Sequence, residues 1–278
     1  EYYDRVASYT MESVRKGLTP NPDVMCNRMI KFGAFEEKMG YQFDRIATGH
    51  YARQWYDENG ISWLGTAVDT FKDQTDFLAR ITYHQLSKAM FPIGDLPKAE
   101  VRRLAEFHKL PSAQRHDSQG ICFLGKINYN DYIKEYVGEK EGDIIEMETG
   151  KKLGKHKGFW FHTIGQRKGL GLSLPAPLYV KEKKIDENLV VLCPEEGLFS
   201  ESLIAKDVVF QAIDTINEPI RAKVKTRYSA KEADCVASLL PDGRLSVVFD
   251  EKQRAITPGQ SAVVYDNEGV LLCGGIIC

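Results

Sequence analysis

The feature that most limits what this chain can fold into is a change in its hydrophobic rhythm near residue 141. Upstream, helical and strand-like periods alternate. Tyr2, Val6, Tyr9 and Val14 fall on one helical stripe over 2–16, which Gly17 would end. Thr19-Pro20-Asn21-Pro22-Asp23 reads as a loop, because two prolines remove donors and bias their predecessors to extended backbone. Residues 28–39 read as a second helix, with Met29, Phe32, Phe35 and Met39 on one face. Residues 45–50 read as a short buried strand running into a glycine turn, the kind of place where α/β sheets put ligand loops. Residues 98–108 read as an amphipathic helix. Downstream, 178–180, 189–192 and 246–249 are short β-branched runs separated by Gly and Pro. The pattern predicts an α/β portion followed by a β-rich portion with a barrel. A chain of 278 residues has room for two or three such domains.

Composition narrows the function classes. With 43% hydrophobic and 27% charged residues, the chain is too apolar for disorder. It has no apolar run near the ~20 residues that a membrane-spanning helix needs. Six cysteines without a CxxC pair argue against a zinc ribbon or a disulfide-stapled secreted fold, and favour a reducing compartment. Glu1-Tyr2-Tyr3-Asp4 carries neither an initiator Met nor a signal peptide, so the sequence is expected to be the interior of a longer protein. The formal charge of -2 conceals an asymmetry: 151–184 holds nine Lys/Arg and one acid, Glu182. Phe159, Trp160, Phe161 and Tyr179 lie among these cations, as on surfaces that hold a phosphate backbone and stack bases. The alternative is a solvated basic face.

Two cysteines stand out as candidates for chemistry. Cys26 follows the proline loop at the expected start of a helix, where unsatisfied N–H groups and the helix dipole favour thiolate. Asp23, three residues earlier, could return to the same point as a proton carrier. The alternative is a buried structural cysteine with Asp23 as a helix cap. Cys122 lies between Gly120 and Gly125 in a loop that suits an accessible thiol, or packs beside Ile121 and Phe123. His50 could be a base or a ligand, though a single His after a strand is more often structural. The other four cysteines read as packing residues. Gly150 to His156 fails the Walker spacing, and Gly165 to Gly171 lacks the dinucleotide fingerprint. The residues alone stop at a two-cysteine enzyme or an RNA-binding protein.

Six motifs in fixed order extend this reading: TPNPDVMCNRMIKF (19–32), ATGHYAR (47–53), KDQTDFLAR (72–80), DSQGICFLG (117–125), HTIGQRKGLGL (162–172) and KTRYSA (225–230). Together they resemble the tRNA-specific 2-thiouridylases, the MnmA/TRMU family, over essentially the whole chain. The resemblance implies the remnant of a PP-loop (adenine nucleotide alpha hydrolase-like) Rossmann-type domain with the catalytic cysteines over 1–125. A central tRNA-binding, β-rich domain over 126–198 and a C-terminal β-barrel over 199–278 would follow.

It also implies ATP-dependent sulfur transfer, with Mg2+, to C2 of the wobble uridine of Lys-, Glu- or Gln-type tRNA, through an adenylated uridine and a cysteine persulfide. Cys122 would hold the persulfide and Cys26 would be its partner in a transient disulfide. Asn21, Pro22 and Asp23 would contact the target base, with Asp23 as acid/base. Gly49 would touch ATP, while Lys72, Asp73, Gln74, Arg227 and Tyr228 would touch tRNA. No resident metal is implied. The sulfur donor would be a cysteine desulfurase or a sulfur-relay protein, and the setting bacterial cytoplasm, or a mitochondrial or plastid matrix in a eukaryote. The family's SGGVDSS-type pyrophosphate loop has no counterpart here. That departure is read as truncation, so the chain alone is not expected to adenylate. The alternative is a catalytically inactive RNA-binding homologue.

Overall fold

The structure is a computed structural model in which residues 1–115, 128–211 and 213–278 are described. A π-wound turn, Tyr3–Ala7, runs into α1 (Ser8–Arg15), and Val6, Met11 and Val14 on the expected stripe are buried. Gly17 adopts φ +71° beyond it, and a Cβ there would lie 2.9 Å from Ile185. The next helix starts earlier than its apolar period suggests. α2 (Pro22–Cys26) continues without a break through a π-wound stretch, Asn27–Ala34, into α3 (Phe35–Met39). Pro22 signals a loop to its predecessor, yet at a first helical position its missing N–H costs nothing and its φ is already helical.

The strand expected over 45–50 shrinks to β1 (Ile46–Ala47). A hairpin of β2 (Ala52–Tyr56) and β3 (Ser62–Thr66) follows, then α4 (Tyr83–Lys88) and β4 (Ala89–Met90), which pairs in parallel with β1. α5 (Lys98–Phe107) forms as read, but none of its residues is fully buried. α6 (Tyr129–Val137) packs Ile133 against Met11 and Val14 of α1.

From here the chain is β-rich. β5 (Gly142–Glu146), β6 (Lys152–His156), β7 (Tyr179–Lys184) and β8 (Leu189–Cys193) form a sheet of order β6-β5-β8-β7. Ile144, Phe159, Val180, Val190 and Leu192 fill its core. β9 (Phe199–Phe210), β10 (Ile220–Lys225), β11 (Ala233–Leu239), β12 (Leu245–Arg254), β13 (Ser261–Tyr265) and β14 (Leu271–Ile277) close into a barrel of order β10-β11-β12-β9-β14-β13. The α/β-then-β architecture is therefore the one the sequence pattern predicts.

Strand β13 shows how the parts join. Its side chains alternate between the two faces of the barrel wall. Ala262 and Val264 enter the barrel core, while Val263 and Tyr265 face outward. The outward pair, with Leu271, meets Phe32, Leu64, Leu78, Ile81 and Leu86 of the N-terminal portion. Burying each such large side chain contributes ~1.5–3 kcal/mol, so this seam holds the barrel firmly on the α/β portion.

Candidate functional site

The site begins at the short loop between α1 and α2. Thr19 N–H donates to Pro258 O (2.9 Å), and Gln260 Nε2 donates to Thr19 O (2.7 Å), so the barrel grips the loop through its backbone. From the central sheet, Lys183 Nζ donates to His162 O (3.1 Å) and to Thr19 Oγ1 (3.5 Å). Burial lowers the Lys183 ammonium to about 8 and the neighbouring His162 imidazole to about 4. Asn21 then caps α2, its side-chain oxygen accepting from the N–H groups of Asp23 (3.1 Å) and Val24 (3.4 Å).

Two expectations change here. The cap is Asn21, not Asp23, which leaves Asp23 as an acid in the first turn, where the dipole favours it. Cys26 is not at a helix start with unsatisfied donors. It sits a full turn in, 0% exposed, among Val6, Met25, Tyr9, Met29 and Ile30. Cys122 and the whole 117–125 motif lie outside the described residues, and so does its pairing with Cys26.

Asn21 shares a cleft with residues from the far end of the chain. Val24, Asp76, Lys225, Arg227, Tyr228 and Gln260 line it with Asn21. The Tyr228 ring packs on Phe77 with centroids 4.8 Å apart, and Lys225 Nζ lies 6.0 Å from the Tyr228 ring centre. Lys225 also reaches within 3.9 Å of Asp73 Oδ2. Arg227 donates to Arg254 O (3.2 Å), and burial and Arg254 lower its pKa. Arg227 also borders a wider cavity of about 580 Å³ at the barrel's end, shared with Lys231, Asp234, Asp250 and Arg254.

Of the three adjoining residues expected to touch tRNA, two turn inward. Asp73 Oδ1 accepts from Ala67 N–H (2.9 Å) and the Thr75 hydroxyl (2.6 Å), and Gln74 Oε1 accepts from Tyr51 N–H (3.1 Å). Lys72 is half-buried. Asp76 is a residue that sequence reasoning passed over, although KDQTDFLAR contains it. Burial pushes its carboxyl up to about 6, against the attraction of Lys225.

Gly49 follows the C-terminal end of β1, beside the parallel partner β4. It is exposed, with nothing within 4 Å of where a Cβ would point. An open backbone at the carboxyl end of parallel strands fits a nucleotide. His50 is structural: its Nδ1 lies 2.8 Å from Thr48 Oγ1, its ring packs near Phe32 and Phe91, and burial lowers it to about 3. Among the described residues no group of three or more His, Cys, Asp or Glu is placed to hold a metal.

Four of the nine cations of the 151–184 segment face acids just outside it. Lys152 pairs with Asp143 (2.6 Å), Lys155 with Glu141, and Lys157 and Lys184 approach Glu139 and Glu187 (3.9 Å each). Lys181 donates to Gly197 O and Lys183 is buried. Three of its four aromatics already have partners within the protein. Phe159 is core, Trp160 Nε1 donates to Gly138 O (3.2 Å), and Tyr179 lies under Arg254. Arg167 and Lys168 line a separate loop cavity and have no ion pair among the described residues. Cys193, Cys235 and Cys273 are packing residues: burial raises all three thiols, Cys235 to about 11 and Cys273 to about 12. No helix among the described residues is long and apolar enough to cross a membrane.

Comparison with known proteins agrees with this layout. Residues 1–126 match the family described as tRNA methyl transferase HUP domain, 130–194 the tRNA methyl transferase PRC-barrel domain, and 200–277 the Aminomethyltransferase beta-barrel domain. The chain is 52% identical over 282 residues to the tRNA-specific 2-thiouridylase MnmA of Parabacteroides distasonis, covering 99% of this chain and 77% of that protein. It is 49% identical over 290 residues to the MnmA of Porphyromonas gingivalis, and 49% over 280 residues to MnmA 1 of Bacteroides thetaiotaomicron, covering 99% of this chain and 78% of each relative. Motifs, domain order and identity over nearly the whole length converge: the chain belongs to the MnmA family of tRNA-specific 2-thiouridylases.

Proposed function

We propose that this chain carries the thiol chemistry and the tRNA-holding surfaces of an enzyme that replaces the 2-oxygen of a tRNA wobble uridine with sulfur. The observation that carries the reading is the cleft in which Asn21 meets Arg227 and Tyr228, with Cys26 one turn along the helix that Asn21 caps. The domain descriptions name methyl transfer, but a thiol placed one turn from a base-contacting cap favours sulfur transfer, as the relatives' names do.

In this reading Gly49 lets ATP approach the backbone, with Mg2+ arriving on the phosphates. When bound, ATP supplies the adenylyl group on which the 2-oxygen departs as AMP. Cys122 holds the persulfide delivered by a protein donor. The Cys26 thiolate attacks Cys122 Sγ, the S–S bond breaks, and hydrosulfide leaves with the electron pair while a Cys26–Cys122 disulfide forms. Hydrosulfide adds at C2, Asp23 carries the proton during displacement, and a cellular dithiol reduces the disulfide. A reducing cytoplasm would supply that dithiol. Arg227 and Tyr228, with Lys72, hold the RNA.

The test is to load the protein from a persulfide donor and follow Cys122 by mass spectrometry. Wild type should gain one sulfur, release hydrosulfide and end as the disulfide. Cys26→Ser should retain the persulfide and bind tRNA as wild type does. Equal hydrosulfide release by Cys26→Ser would refute the pairing, and a Cys122 that never gains sulfur would favour the inactive RNA-binding homologue.

A further inference from the structure

The inner wall of the cleft holds a group that the chemistry above does not use. Asp76 is 7% exposed, and its Oδ1 has no hydrogen-bond partner. A buried carboxylate oxygen without a donor is costly, and any donor entering the cleft would be held strongly. The surrounding groups are mostly donors. The Asn21 oxygen is consumed by capping α2, which leaves its amide N–H groups to offer, and Lys225 and Arg227 are cations. The Lys225 side chain is 12% exposed and is steered toward Asp73, so it flanks Asp76 without filling its vacant oxygen.

The chemistry that fits one buried acceptor among donors is an edge with one N–H between two carbonyls. Uracil presents this pattern as O2, N3–H and O4. Cytosine presents an unprotonated N3, which a carboxylate repels. Resting on the tRNA reading above, we propose that Asp76 is the specificity-determining residue that accepts the N3–H of a uracil entering this cleft and excludes cytosine. It acts at recognition, before the displacement in which Asp23 moves a proton. About 10 Å³ of water-accessible space remains, enough for one water, so a base enters only when Tyr228 moves. Tyr228 is 45% exposed, on the turn between β10 and β11. Its departure uncovers the Phe77 ring, on which a base can stack.

Anisotropy titrations with anticodon stem-loop RNAs that carry U, C or N3-methyluridine at the wobble position test this. Wild type should bind the U form about ten-fold or more tighter than either other form, the usual effect of one hydrogen bond to a charged group. Asp76→Asn, whose amide can both donate and accept, should bring the U:C ratio to about one. Arg227→Ala should weaken all three RNAs and leave the ratio intact. A U preference kept by Asp76→Asn would overturn the assignment. Should that variant fail to fold, equal binding of U and N3-methyluridine by wild type would overturn it, and a wild-type loss with N3-methyluridine would support it. If Asp76→Asn keeps the preference while Arg227→Ala weakens binding, only the Asp76 assignment falls. An Arg227→Ala protein that binds all three as wild type does removes the tRNA reading beneath it.

Discussion

Asp76→Asn is expected to stabilise the protein at neutral pH and above. The Asp76 carboxyl is buried, with one oxygen lacking a partner and the Asp73 carboxylate nearby, and the attraction of Lys225 and the backbone N–H groups of Asp76 and Phe77 offset this only in part. Its pKa rises from an ordinary 3.8 to about 6. Between those two values the folded protein keeps a proton that the unfolded chain has released. Stability therefore falls as pH rises from about 4 to about 6, and the full cost persists above that. At about 1.4 kcal/mol per pH unit the cost is about 3 kcal/mol. Asparagine has the same shape and no charge, so it removes the cost at about pH 8 and changes little near pH 4. Urea unfolding followed by tryptophan fluorescence, wild type against variant across that range, isolates the effect because shared groups cancel. The advantage of the variant should grow with pH to about 3 kcal/mol. A pH-independent difference, or a variant less stable at about pH 8, would refute the argument. The first would mean that the folded protein leaves the Asp76 pKa unshifted, and the second that Lys225 holds Asp76 in a stabilising ion pair.

Two further outcomes follow from the charge and packing described above. Arg167→Ala with Lys168→Ala should weaken tRNA binding and reduce the salt slope by about two, since each removed phosphate contact removes about one released counterion. Lys152→Ala with Lys155→Ala should change the slope little, because both cations already face carboxylates, and an equal loss from both pairs would show that those ion pairs do not silence them. Gly259→Ala should lower the melting temperature more than Gly60→Ala. Both glycines have positive φ, but a Cβ at 259 would lie 2.8 Å from Thr19 N, whereas 60 opens onto empty space. Equal losses would reduce the Gly259 effect to backbone strain alone.

What could be read from sequence was whatever repeats locally. The helical stripes over 2–16 and 98–108 and the β-branched runs at 178–180, 189–192 and 246–249 correspond to real elements because each has its own period. The apolar period starts the second helix six residues late, since a proline at a first helical position looks like a loop until its cap is seen. The pairing of some of the basic segment's cations was not legible in sequence, for a geometric reason. β5 and β6 are antiparallel neighbours, with Asp143 opposite Lys155 and Glu141 in reach of the same ammonium. Those acids precede the cationic run in sequence and fold back onto it. Charge counted along a window cannot register a partner across a ladder. Nor could the cleft be read, because Asn21, Asp76, Lys225 and Gln260 have no sequence spacing in common.

The segment carrying Asn21, Pro22, Asp23 and Cys26 is not held by its own helices alone. Thr19, four residues after the end of α1, is bonded to Pro258 and Gln260 of the barrel and to Lys183 of the central sheet. Gly259, at φ +94°, brings the barrel backbone against it at a distance no side chain would allow. A shift of either β portion would therefore move the Asn21 cap and the Cys26 thiol behind it as one piece. The barrel also supplies Arg227 and Tyr228 to the same cleft. The portion of the chain that supplies Arg227 and Tyr228 thus also fixes the loop that leads into Asn21 and Cys26.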